Sequence, residues 1–281
     1  MSEHTLAAYS HDLLNLVKFC ELHGLARWNA LDNLQLRTFA AALHGAGLNP
    51  RSIQRRLSAV RTFFEFLMRE GLAQRNPALD ARAPKAKKRL PVTLDADQMG
   101  RLLAFRVADS LSARDKAIME LFYSSGLRLA ELVSLDLGAI DLRDRTVRVL
   151  GKGNKTRIVP MGRQAVEALE QWLLERADIV GSRGEEALFV GGSARRLTSR
   201  AVQLRVDTWA RRQGIAMHVH PHMFRHSFAT HLLESSGDLR GVQELFFFYD
   251  MGTTDIYTHL DFQHLATVYE ASHPRARRRP G

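Results

Sequence analysis

A single cysteine, Cys20, stands in 281 residues. No internal disulfide can form, and no cysteine-based zinc cluster either. Long apolar runs are missing too: none reaches the ~18 residues that would suggest a membrane-spanning helix. The opening MSEHTLAAYSHDLL has no basic segment leading into an apolar one, so no secretory leader is expected. These absences point to a cytosolic protein. Acidic residues are in short supply, with 30 Asp and Glu against 40 Lys and Arg, a formal charge of +10. Such an excess, most of it arginine, favours a polyanionic partner, because guanidinium forks match phosphate oxygens. Nucleic acid stands ahead of an anionic membrane.

The 45% hydrophobic content allows a real core, and the length suits two domains. From Thr5 to Cys20 the apolar residues Leu6, Tyr9, Leu13, Leu16, Val17 and Cys20 recur at helical steps. Leu34 to His44 reads as a second helix. Asn49-Pro50 is a cap followed by proline at the first helical position, and opens a helix to about Glu70. Arg51, Arg55, Arg56 and Arg61 load its first half with charge. Residues 1–82 therefore read as a small, all-helical, basic domain.

APKAKKRLP, from Ala83 to Pro91, brackets four basic residues with prolines and marks a linker over 83–92. Lys85, Lys87 and Lys88 could track phosphates there. Beyond it, helices are predicted over Asp95 to Phe105, Ala113 to Ser124, Ala130 to Leu135, Arg163 to Arg176, and from a Thr198 cap through Arg212. Between them Thr146–Leu150 and Thr156–Pro160 read as a β-hairpin with a glycine-rich tip, and Leu188–Val190 as a short strand. The tail, 274–281, is basic and without a pattern of its own.

Four elements carry chemistry. Gly126-Leu127-Arg128 places an arginine beyond a glycine, with Glu131 one turn on to orient it. Taken alone, this could equally be a surface ion pair. Lys152 sits at the hairpin tip, with Lys155 a rival for the same role. His222 and Arg225, in PHMFRHSFATH, share one helical face, with His226 and His231 nearby. Tyr257 lies in the polar run TTDIYTHLDF. An imidazole, guanidinium groups and a phenol together suit attack on a phosphodiester, with tyrosine as nucleophile.

Other chemistries fit less well. GKGNKT lacks phosphate-loop spacing and joins two strands. His218, His220, His222 and His226 suggest a metal cluster, but Met223 stands where HExxH needs Glu, and no acidic or cysteine ligand accompanies them. No metal and no cofactor are expected. A purely structural DNA-binding module would share the charge and the helical basic domain.

Taken in order, Arg128, Lys152, His222-x-x-Arg225 and Tyr257 resemble the active-site set of the tyrosine recombinases, the phage-integrase family. GLRLAELVSLDL, VRVLGKGNKTRIVPMG, HMFRHSFATHLLESSGDLRGVQEL and IYTHLDFQHLATVYEASHPRARRR are similar to its Xer members. The resemblance implies a mainly α fold: an all-helical core-binding domain, then an α+β catalytic domain over 93–273 with a small β-sheet. It implies that Tyr257 forms a 3′-phosphotyrosyl link. Arg128 and Arg225 would hold the phosphate, Lys152 would protonate the leaving oxygen, His222 would assist proton transfer, and Glu131 would orient from behind. It further implies double-stranded DNA with a dif-type site, a XerD-like partner in a heterotetramer, a DNA translocase acting on that partner, and a cytoplasmic, nucleoid-associated setting.

One departure stands out. After Val242-Gln243-Glu244-Leu245 the family carries Leu-Gly-His, and that histidine (tryptophan in some members) donates a hydrogen bond to the scissile phosphate. Here the chain reads Phe246-Phe247-Phe248, and phenylalanine has no donor. Asp255 also replaces the glutamine usual in Xer proteins, two residues before Tyr257. A slow but competent recombinase, a cleavage-poor DNA-binding subunit and a reshaped segment around Tyr257 all remain open.

Overall fold

The computed structural model describes residues 3–85, 93–151 and 156–236, with side chains from residue 6 onward. The chain divides into two compact units, Met1–Leu90 and Pro91–Gly281.

The first unit is built from α1 (Glu3–Leu22), α2 (Asn33–Gly45) and α3 (Pro50–Arg69). Asp32 accepts from the Gln35 amide while the Gln35 side chain accepts from the Asp32 amide, a reciprocal cap that starts α2. Asn49 accepts from the Arg51 amide at 2.9 Å and Pro50 occupies the first helical position, so α3 begins where the sequence placed it. Leu16, Phe19, Leu36, Phe39, Leu57 and Phe64 form the buried core between the three helices. Each such side chain contributes about 1.5–3 kcal/mol by leaving water.

The second unit surrounds α5 (Ser110–Ser125), a helix buried from Ser112 to its end except at Lys116. α7 (Arg163–Val180) and α9 (Pro221–Ser236) pack against it. α4 (Ala96–Leu103), α6 (Leu129–Val133) and α8 (Ser199–Arg212) complete the helical shell. A small antiparallel sheet, ordered β1 (Ile140–Asp141), β2 (Thr146–Leu150), β3 (Thr156–Pro160), lies between α6 and α7 in the chain. β2 and β3 pair in the expected hairpin, with Val147 opposite Val159 and Val149 opposite Arg157. Phe122, Trp172, Phe189, Phe224 and Phe228 are the largest side chains in this core. The fold is thus mainly α with one small sheet, as expected.

Some elements differ from the sequence reading. α5 starts at Ser110, because the Asp109 carboxylate accepts from the Ser112 amide at 2.6 Å and caps the helix ahead of its apolar stripe. α7 continues past Arg176 to Val180. Leu188–Val190 is not a strand: only isolated bridges form, Asp136 with Ala187 and Val190 with Arg196. The indole N–H of Trp172 donates to the Leu188 carbonyl at 2.9 Å instead. Among the described residues, no helix is long and apolar enough to cross a membrane.

Candidate active site

α5 ends on Gly126, whose left-handed conformation (φ 57°, ψ 29°) turns the chain sharply. A Cβ at this position would lie 2.8 Å from Cδ1 of Phe228 on α9, so the turn and α9 approach too closely for any other residue. Two residues on, Arg128 caps α6 in an extended conformation. Its amide donates to Glu131 Oε2 at 2.8 Å, and its Nη1 donates to Glu131 Oε1 at 3.1 Å. The Arg128–Glu131 pairing read from the sequence is therefore present.

Glu131 has a second partner. Arg157 on β3 donates from Nη2 to Glu131 Oε2 at 2.8 Å. Glu131 and Arg157 are 6% and 7% exposed, whereas Arg128 is 37% exposed. Burial by itself pushes the Glu131 carboxyl up. The bonds and charges of Arg157, joined by those of Arg128, outweigh it and hold the group below its ordinary value of 4.5.

Arg225, on α9, reaches back across the chain, and its Nη1 donates to the Gly126 carbonyl at 2.6 Å. The structure thus brings Arg225 to the turn that carries Arg128. His222 and His226 lie exposed on the first turns of α9. The rings of His218 and His220 are 6.3 Å apart, and those of His220 and His222 are 6.2 Å apart. Partial burial, then the neighbouring imidazoles of His222, His218 and His226, lowers the His220 pKa. Among the described residues no three His, Cys, Asp or Glu side chains are placed to hold a metal ion.

α9 is held in register from behind. The Ser227 hydroxyl donates to the Leu94 carbonyl and accepts from the Leu94 amide, at 2.9 and 3.0 Å. His231 Nδ1 and the Tyr123 hydroxyl lie 2.9 Å apart in the core. Sequence reading passed over Arg157, Ser227 and Tyr123. The one available signal was Arg157: in TRIVP it shares its strand face with Val159, and one of the two faces had to be buried.

The basic residues of the first unit separate into two kinds. Arg56 is 12% exposed and its Nε lies 3.3 Å from Oδ1 of Asp12, a fully buried carboxylate on α1 that Arg55 also binds. Arg61 donates to the carbonyls of Ala78 and Ala81. Arg56 and Arg61 thus tie the unit together from within, while Arg51, Arg55 and Lys85 are exposed. Lys87, Lys88, Lys152, Lys155, Phe248, Asp255 and Tyr257 lie outside the described residues, as does the tail from Arg275.

Comparison with known proteins agrees with this arrangement. The profile of the phage integrase family matches residues 92–264, and that of the phage integrase N-terminal SAM-like domain matches residues 1–71. The chain is 54% identical over 280 residues to tyrosine recombinase XerC of Pseudomonas aeruginosa PAO1, covering 99% of this chain and 91% of the relative. To XerC of Azotobacter vinelandii it is 55% identical over 280 residues, covering 99% and 93%. Among solved structures, XerH bound to its difH substrate superposes with a TM-score of 0.69 at 24% identity, over 93% of this chain and 77% of that one. The integrase of mycobacterium phage Brujita gives 0.55 at 26% identity, over 100% and 90%. The Xer likeness read from the sequence is borne out. The chain belongs to the phage integrase family, the tyrosine recombinases, enzymes that cut and rejoin DNA.

Proposed function

We propose that the chain is a XerC-like site-specific recombinase in which Tyr257 attacks the scissile phosphate. The attack forms a 3′-phosphotyrosyl link and releases a 5′-hydroxyl. Arg128 and Arg225 hold the non-bridging oxygens, where negative charge grows in the transition state. Lys152 protonates the leaving oxygen, and His222 assists proton transfer to and from the attacking phenol. Because the bond energy stays in the phosphotyrosine, rejoining needs no cofactor. The observation that carries this reading is the bond from Arg225 Nη1 to the Gly126 carbonyl, which gathers the second arginine to the turn of the first.

In the cell the reading places the protein in the cytoplasm, on the nucleoid. Its target is a dif-type site in double-stranded DNA. It acts there in a heterotetramer with a XerD-like recombinase, whose activity a DNA translocase would control. Arg51, Arg55 and Lys85 are the described candidates for phosphate contact, and Lys87 and Lys88 extend them. Arg56 is left out of that set, since it is 12% exposed beside Asp12, whereas Arg55 binds Asp12 but stays 46% exposed.

A nicked suicide substrate tests the chemistry, with the protein alone and with a XerD-like partner. A covalent adduct that vanishes in Tyr257→Phe is expected, and its absence under all conditions would sink the proposal. Phe248 favours a second reading, a subunit that binds and bends the site without cutting it. That reading predicts specific, salt-sensitive binding and no adduct.

A further inference from the structure

α9 carries two pairs of side chains, each pair turned to one backbone residue elsewhere in the chain. Arg225 and Phe228, three residues apart, both meet Gly126. The guanidinium donates to its carbonyl, and the ring lies 2.8 Å from where a Cβ would stand. Ser227 and His231, four residues apart, both meet Leu94. The Ser227 hydroxyl donates to the Leu94 carbonyl at 2.9 Å and accepts from its amide at 3.0 Å. The same backbone acts on the His231 imidazole, together with Asp95. Side chains three or four residues apart share a helix face, so α9 turns one face to Gly126 and another to Leu94.

The Leu94 face is an exception within the core. Met223, Phe224, Phe228 and Leu232 are apolar and buried, yet Ser227 among them is fully buried too, and His231 nearly so. A buried hydroxyl costs stability unless it is bonded, and alanine would fill the same space without that demand. What the hydroxyl adds is direction. Apolar burial is non-directional and does not by itself fix the rotation of a helix about its axis. A hydrogen bond does, because it weakens steeply as its angle closes. At about 100° per residue, Ser227 lies about 200° round the axis from Arg225. The Leu94 bonds therefore grip α9 on the side away from the arginine and fix the rotation that aims it.

We infer that Ser227 is a positioning residue for DNA cleavage: by holding both backbone groups of Leu94 it sets the rotation of α9, and with it the placement of Arg225 at the scissile phosphate. Only two residues separate the anchor from the group it aims, so little slack lies between them. His222, on the first turn of α9, turns with the same helix. His231 extends the anchor by one turn, and its Nδ1 lies 2.9 Å from the Tyr123 hydroxyl on α5. Tyr123 stands in the last turn of α5, directly ahead of Gly126. The anchor of α9 and the acceptor of Arg225 are therefore tied to the same end of one buried helix.

The inference rests on the assignment of Arg225 to the scissile phosphate. Ser227→Ala removes both bonds to Leu94 and leaves the packing volume nearly unchanged. Adduct formation on the suicide substrate, at saturating protein, should be about ten- to hundredfold slower, the scale of loss that ~1 Å of misplacement brings. DNA affinity should hold within about threefold, since many phosphate contacts set it and Ser227, fully buried, makes none. Val206→Ala, in the core on α8, is the control for lost stability alone. It should keep the parent's rate at a temperature where both variants stay folded. An equal loss in Val206→Ala overturns the inference. A parent-like rate in Ser227→Ala beside an active parent defeats this inference alone, whereas no adduct in the parent defeats the site assignment. In that case the Arg225 guanidinium resonances decide. Resonances displaced by the Ser227 substitution and unmoved in Val206→Ala uphold the inference. Resonances that stay in place in the Ser227 variant, or shift as far in Val206→Ala, overturn it. Should Ser227→Ala fail to fold, Ser227→Cys, whose thiol is a weak donor, replaces it with the same outcomes.

Discussion

Arg225 Nη1 donates to the carbonyl of Gly126 at 2.6 Å, across 99 residues of sequence. The acceptor is a backbone oxygen at a left-handed turn, so the arginine depends on a conformation that only glycine adopts easily. Replacing Gly126 by alanine should disturb both partners. Its Cβ would meet the Phe228 ring at 2.8 Å, and the positive φ adds strain of its own. Together these cost about 2–4 kcal/mol. Urea unfolding of Gly126→Ala should register that loss, and adduct formation should drop even where the protein remains folded. An unchanged urea midpoint would mean that the turn relaxes freely and does not fix Arg225.

Asp12 and Arg51 separate stability from DNA binding in the first unit. Asp12 is fully buried and receives Arg55 and Arg56. Asp12→Ala strands Arg56, which is 12% exposed, and should cost about 3 kcal/mol in unfolding free energy. Arg51 is exposed, and its amide donates to the Asn49 side chain. Arg51→Ala should leave the melting temperature within a degree or so. It should weaken binding to duplex DNA regardless of sequence, and lower the slope of log affinity against log salt by about 1. A reversal of the two phenotypes would show that Arg51 is structural and that the Asp12 cluster is dispensable to the fold.

Acid should destabilise the second unit through His231. Burial, opposed by Glu234, the Leu94 backbone and Asp95, lowers its pKa from the ordinary 6.5. The unfolded chain therefore takes up a proton first as pH falls. Stability is full above about pH 7.5 and declines as pH passes through 6.5 toward the folded-state value. His231→Gln should flatten this part of the melting-temperature profile between pH 7.5 and 5.5. Glu131 works in a lower window: its folded pKa lies below 4.5, so its contribution is present above that value and is lost as pH falls through the folded pKa. Equal slopes in parent and His231→Gln between pH 7.5 and 5.5 would remove His231 from the account.

Local signals carried the sequence reading as far as they reach. The start of α3 was legible because Asn49 and Pro50 act on their own neighbours. The Arg128–Glu131 pair was legible because it lies within one turn. The start of α5 was missed because the Asp109 cap lies ahead of any apolar stripe. Leu188–Val190 has strand composition, but Trp172 claims the Leu188 carbonyl. Arg56 read as one more charge on the face of α3 because its partner, Asp12, sits on another helix. The link from Arg157 to Glu131 was invisible for the same reason. A hairpin sequence gives the alternation of faces, yet which face turns inward at a given residue is decided by Glu131, from outside the hairpin.

The segment before Tyr257 sets the last expectation. By the resemblance read from the sequence, Phe248 would stand where the family places a hydrogen-bond donor to the scissile phosphate, and a phenylalanine ring can neither donate nor carry charge. Losing one donor aimed at a transition state costs roughly 2.7–4 kcal/mol, or about a hundred- to thousandfold in rate. Phe248→His should therefore speed adduct formation by up to that factor while leaving equilibrium DNA affinity nearly unchanged, because the donor is most valuable to the charge that develops only during cleavage. Single-turnover kinetics on the suicide substrate read the rate, and a filter-binding titration reads the affinity. A slow parent and a fast variant identify a competent but hindered recombinase. An inert parent with an active variant assigns the native chain to binding without cutting, with one side chain separating the two states. An equal rate in both proteins would show that the missing donor is not what limits cleavage. Asp255, a carboxylate two residues before the proposed nucleophile, would then be the next residue to neutralise.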